Sequence, residues 1–311
     1  MSQNVYVFSL ETIEKMKQYY HKSLTTTPQG AIFRAKTSNS VITAYKSGKV
    51  LFQGSKPEVE MKLWTDNTTI GTTKTAPKKP TQSTKYSPPE SLFLSSHIGS
   101  DEAGTGDYFG PITVACAYIE SSQIPILKEL GVKDSKNLTD DTIGKLATEI
   151  AKMQIPYSLL ILHNTKYNKL QKRGWSQGKM KAMLHHHAIQ NLLKKIGSME
   201  LEGILIDQFC EPGIYQRHIA SEKGVLPDNT YFMTKAESYS IAVATGSIIA
   251  RASFVREMDK LSAQIGIPLN KGASKKVDLT IARIMKEKGE EILNSCAKVH
   301  FANTQKAKNY L

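Results

Sequence analysis

The feature that most constrains this chain is a break in its composition between residues 66 and 90. Those 25 positions hold seven Thr, four Pro, four Lys and two Ser, with no acid between the Asp66 and Glu90 that bound them. Such a stretch has no apolar period with which to bury a core, so it reads as a flexible linker. It divides the 311 residues into two domains, 1–65 and 91–311. A flexible chain of that length spans about 25–30 Å r.m.s., close to the roughly 34 Å of one duplex turn. With 40% hydrophobic and 22% charged residues, the chain can bury a real core and is neither disordered nor collagen-like.

Charge narrows the partner. Lys and Arg number 41 against 28 Asp and Glu, a net +13, which favours a polyanion such as nucleic acid. Residues 1–90 carry 13 basic and six acidic side chains, and the remainder 28 and 22, so the small domain is the more basic per residue. The longest strongly apolar run, 241–250, has ten residues, whereas a membrane span needs about 20. The first twenty residues lack a basic segment followed by an apolar one, and Glu11 and Glu14 interrupt them. Cys116, Cys210 and Cys296 lie far apart with no Cys-x-x-Cys pair, which supports neither a disulfide framework nor a zinc knuckle. The expectation is a cytoplasmic protein with no membrane partner.

In the small domain a β run at 5–8 precedes an amphipathic helix with Ile13, Met16, Tyr19 and Tyr20 near one face. Three β runs at 31–35, 41–45 and 50–52 and a helix at 58–64 follow, the last two runs joined across Ser47-Gly48. The order β-α-β-β-β-α predicts an antiparallel sheet with helices on one face. Arg34, Lys36, Lys46 and Lys49 are candidates to line the other. Any one of them alone reads as a solvated strand end; four together point to binding. The large domain alternates β runs (93–100, 112–119, 157–162, 203–206, 231–232) with helical patterns (139–153, 179–196, 237–264, 277–288), the signature of a layered α/β fold.

The densest chemistry lies at residues 99–111, where Asp101 and Glu102 precede a turn containing Gly104, Gly106 and Gly110. On a regular strand adjacent carboxylates face opposite sides, so both serve one site only if the strand ends there, and the glycines favour that ending. Asp207 follows the buried run Ile204-Leu205-Ile206, at the strand end where open α/β sheets bind ligands. Glu237 opens the helical pattern that follows the last β run. Alone, each acid has a bland reading, as a turn residue or a helix-dipole partner. Together they suit hard divalent cations, because two carboxylates about 5 Å apart repel by roughly 3 kcal/mol at an effective dielectric of 20. Two Mg²⁺ ions would balance four carboxylates, and a metal pair can activate water and stabilise a leaving oxygen in phosphodiester hydrolysis.

Other motifs are weaker. The glycine spacing is one residue off the dinucleotide fingerprint and leads into a β run, which excludes a Rossmann site, and residues 48–56 lack the ending of a P-loop. His185, His186 and His187 are consecutive on a helix, so at most one can point at any site. Ser238, Ala242, Gly246 and Ala250 form a stripe of small residues for close packing on a sheet.

At these residues the sequence resembles the type 2 ribonuclease H superfamily, and specifically its HIII branch, over nearly the whole chain. The family's Gly-x-Asp-Glu-Ala-Gly segment matches residues 99–104, its Asp-Ser-Lys-x-Leu segment Asp134, Ser135, Lys136 and Leu138, and its strand-end acid Asp207. Thr234 to Glu237, Ser247 to Arg251 and His300 to Asn303 match further segments in the family's order. Gly104-Thr105-Gly106 where the HII branch has Gly-Arg-Gly, Glu237 where HII usually has Asp, and the N-terminal extension point to HIII. The resemblance implies an RNase H-like fold, a mixed central sheet flanked by helices, with an N-terminal α+β domain like the TATA-binding protein that holds an RNA/DNA hybrid. It implies endonucleolytic cleavage of the RNA strand, leaving 5′-phosphate and 3′-hydroxyl ends, using Mg²⁺ with Mn²⁺ able to substitute; a monomer is the separate expectation. Asp101, Glu102, Asp207 and Glu237 would be the catalytic metal ligands. Gly104, Thr105 and Gly106 would contact a ribose 2′-hydroxyl, and Ser135 and Lys136 phosphate. Absence of the loop arginine points away from efficient incision at a single embedded ribonucleotide. The competing readings are a catalytically silent nucleic-acid-binding protein and another RNase H-like metal nuclease acting on DNA.

Overall fold

The computed structural model describes residues 2–28, 30–65, 84–133 and 138–311. Linker positions 66–83 lie outside the described residues, as do Ser135 and Lys136. The chain forms two compact units, Met1–Thr84 and Lys85–Leu311.

The first unit runs β1 (Ser2–Val7), α1 (Leu10–Tyr19), β2 (Ala31–Lys36), β3 (Ser40–Tyr45), β4 (Lys49–Gly54) and α2 (Pro57–Thr65), the order the sequence predicts. All neighbours in its sheet, β1-β4-β3-β2, are antiparallel. Phe33, Ala35, Ile42, Ala44, Val50 and Phe52 alternate inward and bury against Ile13, Met16 and Tyr20. Ser9 caps α1 by accepting the Thr12 N–H at 3.1 Å. Tyr20 Oη donates to Glu60 at 2.9 Å and accepts from Trp64 Nε1 at 3.0 Å, tying α2 to the same core. Arg34, Lys36 and Lys49 are exposed on the strands, with Arg34 and Lys36 alternating against Phe33 and Ala35 and so on the face away from the core. Lys46 departs from the expectation: it sits in the turn between β3 and β4, where the chain has left the sheet face.

The second unit begins with a 3-10 turn (Glu90–Leu94), β5 (His97–Ala103), β6 (Ile112–Ile119), α3 (Gln123–Glu129), α4 (Asp140–Lys152) and β7 (Tyr157–Leu162). It continues with α5 (Asn164–Lys172), α6 (Gln177–Ile196), β8 (Gly203–Asp207), α7 (Pro212–Ala220), β9 (Thr230–Met233) and α8 (Ile241–Ile265). The chain closes with α9 (Lys275–Lys288), α10 (Leu293–Cys296) and α11 (Asn303–Ala307). Strands order β7-β6-β5-β8-β9, with β8 parallel to β5 and β9 and the remaining pairs antiparallel, the mixed sheet of an RNase H-like fold. Val114, Cys116 and Tyr118 pack with α6 and α7, while Ala115, Ala117 and Ile119 pack with α3, α4 and α8, so helices cover both faces. No helix among the described residues is long and apolar enough to cross a membrane.

Gly99 sets how closely α8 lies on the sheet, because a methyl there would run into the backbone of Ala242 and Val243. Ala242, Gly246 and Ala250 of the small-residue stripe are buried along that contact, whereas Ser238 precedes the helix and is exposed. Three boundaries differ from the sequence reading. Residues 85–90 belong to the second unit and not to the linker: Phe232 N–H donates to the Tyr86 carbonyl at 2.8 Å and the two rings meet edge to face. Residues 93–94 coil into the 3-10 turn that buries Leu92, so β5 starts at His97. The helix expected from residue 237 starts at Ile241, because Ser240 caps it by accepting the Val243 N–H and is itself bonded to His97 Nε2 at 2.7 Å.

Candidate active site

Parallel pairing of β5 with β8 runs out at Ser100 and Ile206, which leaves Asp101 and Asp207 as the next residues on adjacent strands. After β9 the chain turns through Lys235 in the left-handed region (φ 59°) into a 3-10 segment, Ala236–Ser238. That turn aims the Ala236 N–H at Asp207 Oδ1, 2.9 Å away, and buries Glu237 beside it. Burial first, then the neighbouring charges of Glu102 and Glu237, push Asp101 up to about 7 against hydrogen bonds from Ser247 and the Glu102 N–H (2.7 Å). Burial and then the charge of Asp101 push Asp207 up to about 7 as well, with Glu237 and Glu102 adding to it. Acidic groups from three elements thus share one sheet end with a surplus of negative charge.

Glu102 is placed differently from the expectation that β5 ends at the acidic pair. The strand continues through Ala103 against β6, so Gly99 and Asp101 face α8 while Ser100 and Glu102 face α6. Burial would raise Glu102, yet the hydrogen bond and charge of His185, followed by Lys181, hold it down at about 2. His185 is fully buried, with Nδ1 2.7 Å from Ser100 Oγ, Nε2 2.9 Å from Glu102 Oε2, and its ring stacked on Phe209. Lys181 donates to Glu102 Oε1 at 2.7 Å. The sequence reading assigned the histidine run to packing and surface and missed Lys181. The available signal was their spacing of four on one helix, which aligns 181 and 185 on one face and leaves His187 exposed.

The glycine loop beyond Ala103 is held by its carbonyls. Gly104 has φ +85°, and a side chain there would strike Pro111 O and the Phe254 ring. Gln177 Nε2 donates to Thr105 O at 3.1 Å, and Asp107 Oδ1 accepts the Gly272 N–H at 2.6 Å. Buried Lys298, its ammonium pushed down to about 7 by burial, donates to Asp107 O (2.8 Å) and Gly110 O (2.6 Å). Thr105 is half-buried and Gly106 exposed, so the loop tip next to the carboxylates is open to a ligand.

The donor set is all oxygen and carries excess negative charge, which fits a hard divalent cation. Glu102 has both oxygens turned to α6, and among the described residues no three His, Cys, Asp or Glu side chains converge so as to hold a metal ion by themselves. An ion of this kind fills the rest of its octahedron with water and ligand oxygens, so an open set of carboxylates is compatible with it.

A family model described as Ribonuclease HII matches residues 98–304, and one described as a domain of unknown function (DUF3378) matches residues 3–78. A ribonuclease HIII of Oceanobacillus iheyensis is 59% identical over 311 residues, covering 100% of both chains. One from Bacillus licheniformis is 53% identical over 310 residues, covering 99% of this chain and 98% of its own. The crystal structure of Bst-RNase HIII in complex with Mn2+ superposes with a TM-score of 0.68 at 39% identity, covering 99% of each chain. With its mixed sheet, its acidic sheet end and this full-length similarity, the chain belongs to the ribonuclease HIII family.

Proposed function

We propose that this chain is an endonuclease that hydrolyses the RNA strand of RNA/DNA hybrids, leaving 5′-phosphate and 3′-hydroxyl ends. The observation that carries the reading is the gathering of Asp101, Asp207 and Glu237 at the end of the β5–β8 pair, with Glu102 on the next residue and the glycine loop beside them. These four carboxylates would hold Mg²⁺, or Mn²⁺ in its place, as two ions. When bound, the ion pair supplies an activated water and stabilises the leaving oxygen in phosphodiester hydrolysis. The protein's own part is to orient. Asp101 and Asp207 are fixed by backbone N–H donors, Glu102 by His185, and the loop backbone at Gly104, Thr105 and Gly106 is clamped where it can read a 2′-hydroxyl. Ser135 and Lys136 are assigned to phosphate, and the open sheet face of the first unit, with Arg34 and Lys36, to the duplex backbone. The proposed place of action is the cytoplasm, and one chain carries the full set of groups, so a monomer suffices.

The test is cleavage of end-labelled RNA/DNA, DNA/DNA, RNA/RNA and DNA with one embedded ribonucleotide, in Mg²⁺, in Mn²⁺ and in chelator. Metal-dependent cutting confined to RNA/DNA is expected. Efficient cutting of DNA/DNA, or tight binding of hybrid without cleavage in either metal, would overturn the reading.

A further inference from the structure

Glu102 is held by two cationic or polar donors that differ in freedom. His185 cannot leave: it is fully buried, both ring nitrogens are bonded, and Phe209 stacks against it. Lys181, one helical turn earlier, makes a single 2.7 Å bond from the end of a flexible stem and keeps 12% of its side chain exposed. Its ammonium also lies 4.0 Å from the centre of the Phe209 ring, whose π face offers it a second, weaker seat. We propose that Lys181 is the resident counter-cation of Glu102, occupying Oε1 in the metal-free enzyme and yielding it to a divalent cation, while His185 holds Oε2 throughout. The inference rests on the assignment of Glu102 as a metal ligand.

The charges decide the exchange. An ammonium and a divalent ion on one carboxylate oxygen repel strongly inside a protein, so the two occupy it in turn. The metal-free site then avoids a bare, buried Glu102 next to Asp101, at the cost of an internal competitor that raises the concentration of cation needed. Lys181 is accordingly a positioning residue. A purely structural salt bridge predicts the opposite response of metal affinity to its removal, because losing one partner of a buried pair loosens the site that the other helps to build.

The test uses the full-length protein without nucleic acid and Mn²⁺ as the probe, titrated by calorimetry at fixed pH and ionic strength. Lys181→Gln is expected to bind Mn²⁺ roughly tenfold tighter than the wild type, within the usual range of coupling between sites. Lys181→Arg, which keeps the charge, is expected to stay close to the wild type. In chelator Lys181→Gln melts below the wild type, and saturating Mn²⁺ closes the gap. Unchanged or weaker Mn²⁺ binding by folded Lys181→Gln overturns the proposal. A second measurement needs no variant: acetylation of Lys181 by acetic anhydride, read by mass spectrometry, should rise when Mg²⁺ is added to the wild-type protein, and no change contradicts the exchange. Asp101→Asn separates the two levels. If it binds Mn²⁺ as the wild type does, the metal assignment itself fails; if it loses Mn²⁺ while Lys181→Gln shows no gain, only the exchange fails.

Discussion

The two faces of β5 carry neighbouring carboxylates in similar burial and treat them in opposite ways. Toward α8, Asp101 is pushed up to about 7; toward α6, Glu102 is held at about 2. The difference lies in how closely each helix approaches. A Cβ on Gly246 of α8 would sit 2.9 Å from Ala115 O and 3.2 Å from Gly99 O, so that contact has no room for a long basic side chain, and Ser247 supplies the polar contact to Asp101. Helix α6 packs on the other face through Met180, Met183, Ile189 and Leu192 and delivers Lys181 and His185 to Glu102. Tight packing therefore keeps any long basic side chain of α8 away from Asp101, and the raised Asp101 and Asp207 carboxyls are where a cation from solution has most to gain. The first unit shows the reverse sign: its helices and core take one sheet face, and the other carries Arg34 and Lys36.

The comparison can be broken at several points. The largest effect is expected from Asp101→Asn, which should lower the rate of hybrid cleavage on the order of a thousandfold with hybrid binding retained. Single-turnover kinetics with separate binding measurements check it. Glu102→Gln strips Lys181 and His185 of their anion and should cost about 3 kcal/mol of stability, read by urea unfolding in chelator. Asp101→Asn should instead stabilise the metal-free protein at pH 8, because it removes a carboxylate ionised against its surroundings. The smallest effect concerns the first unit. Replacing Arg34 and Lys36 together by alanine should weaken hybrid binding several-fold and lower the salt slope by about two, leaving the rate at saturating substrate unchanged.

Much of the site was legible because its acids stand at rims marked by their neighbours. Ile204-Leu205-Ile206 announces a buried strand ending at Asp207, and Gly104 announces the turn after Asp101 and Glu102. The direction of each side chain was not legible. It depends on β5 continuing to Ala103, which is settled by pairing with β6 across the sheet and not by local pattern. Lys181 and His185 were hidden for a related reason. On α6 they sit among other polar residues, and only the tertiary placement of Glu102 singles them out. Glu237 was placed in a helix because Ser240, the residue that caps α8, comes just before a strongly helical run and the left-handed turn at Lys235 leaves no compositional mark. Residues 85–90 read as linker from their prolines, and the packing of Tyr86 on Phe232 overrides that composition.

The most direct measurement is the melting temperature of the metal-free wild type, Asp101→Asn and Glu102→Gln from pH 5 to pH 8.5. A folded value of about 7 for Asp101, above its ordinary 3.8, means that the native state binds more protons than the unfolded chain between about pH 4 and 7. Stability is therefore lost as pH rises through that window. Glu102, at about 2 against an ordinary 4.5, contributes stability that is present above about 4.5 and lost only in more acid solution. The expected result is a wild-type melting temperature that falls toward pH 8, a flatter and higher curve for Asp101→Asn, and a lowered curve for Glu102→Gln at every pH in the range. Two variants that shift the curve in the same direction would contradict the opposed treatment of the two carboxylates.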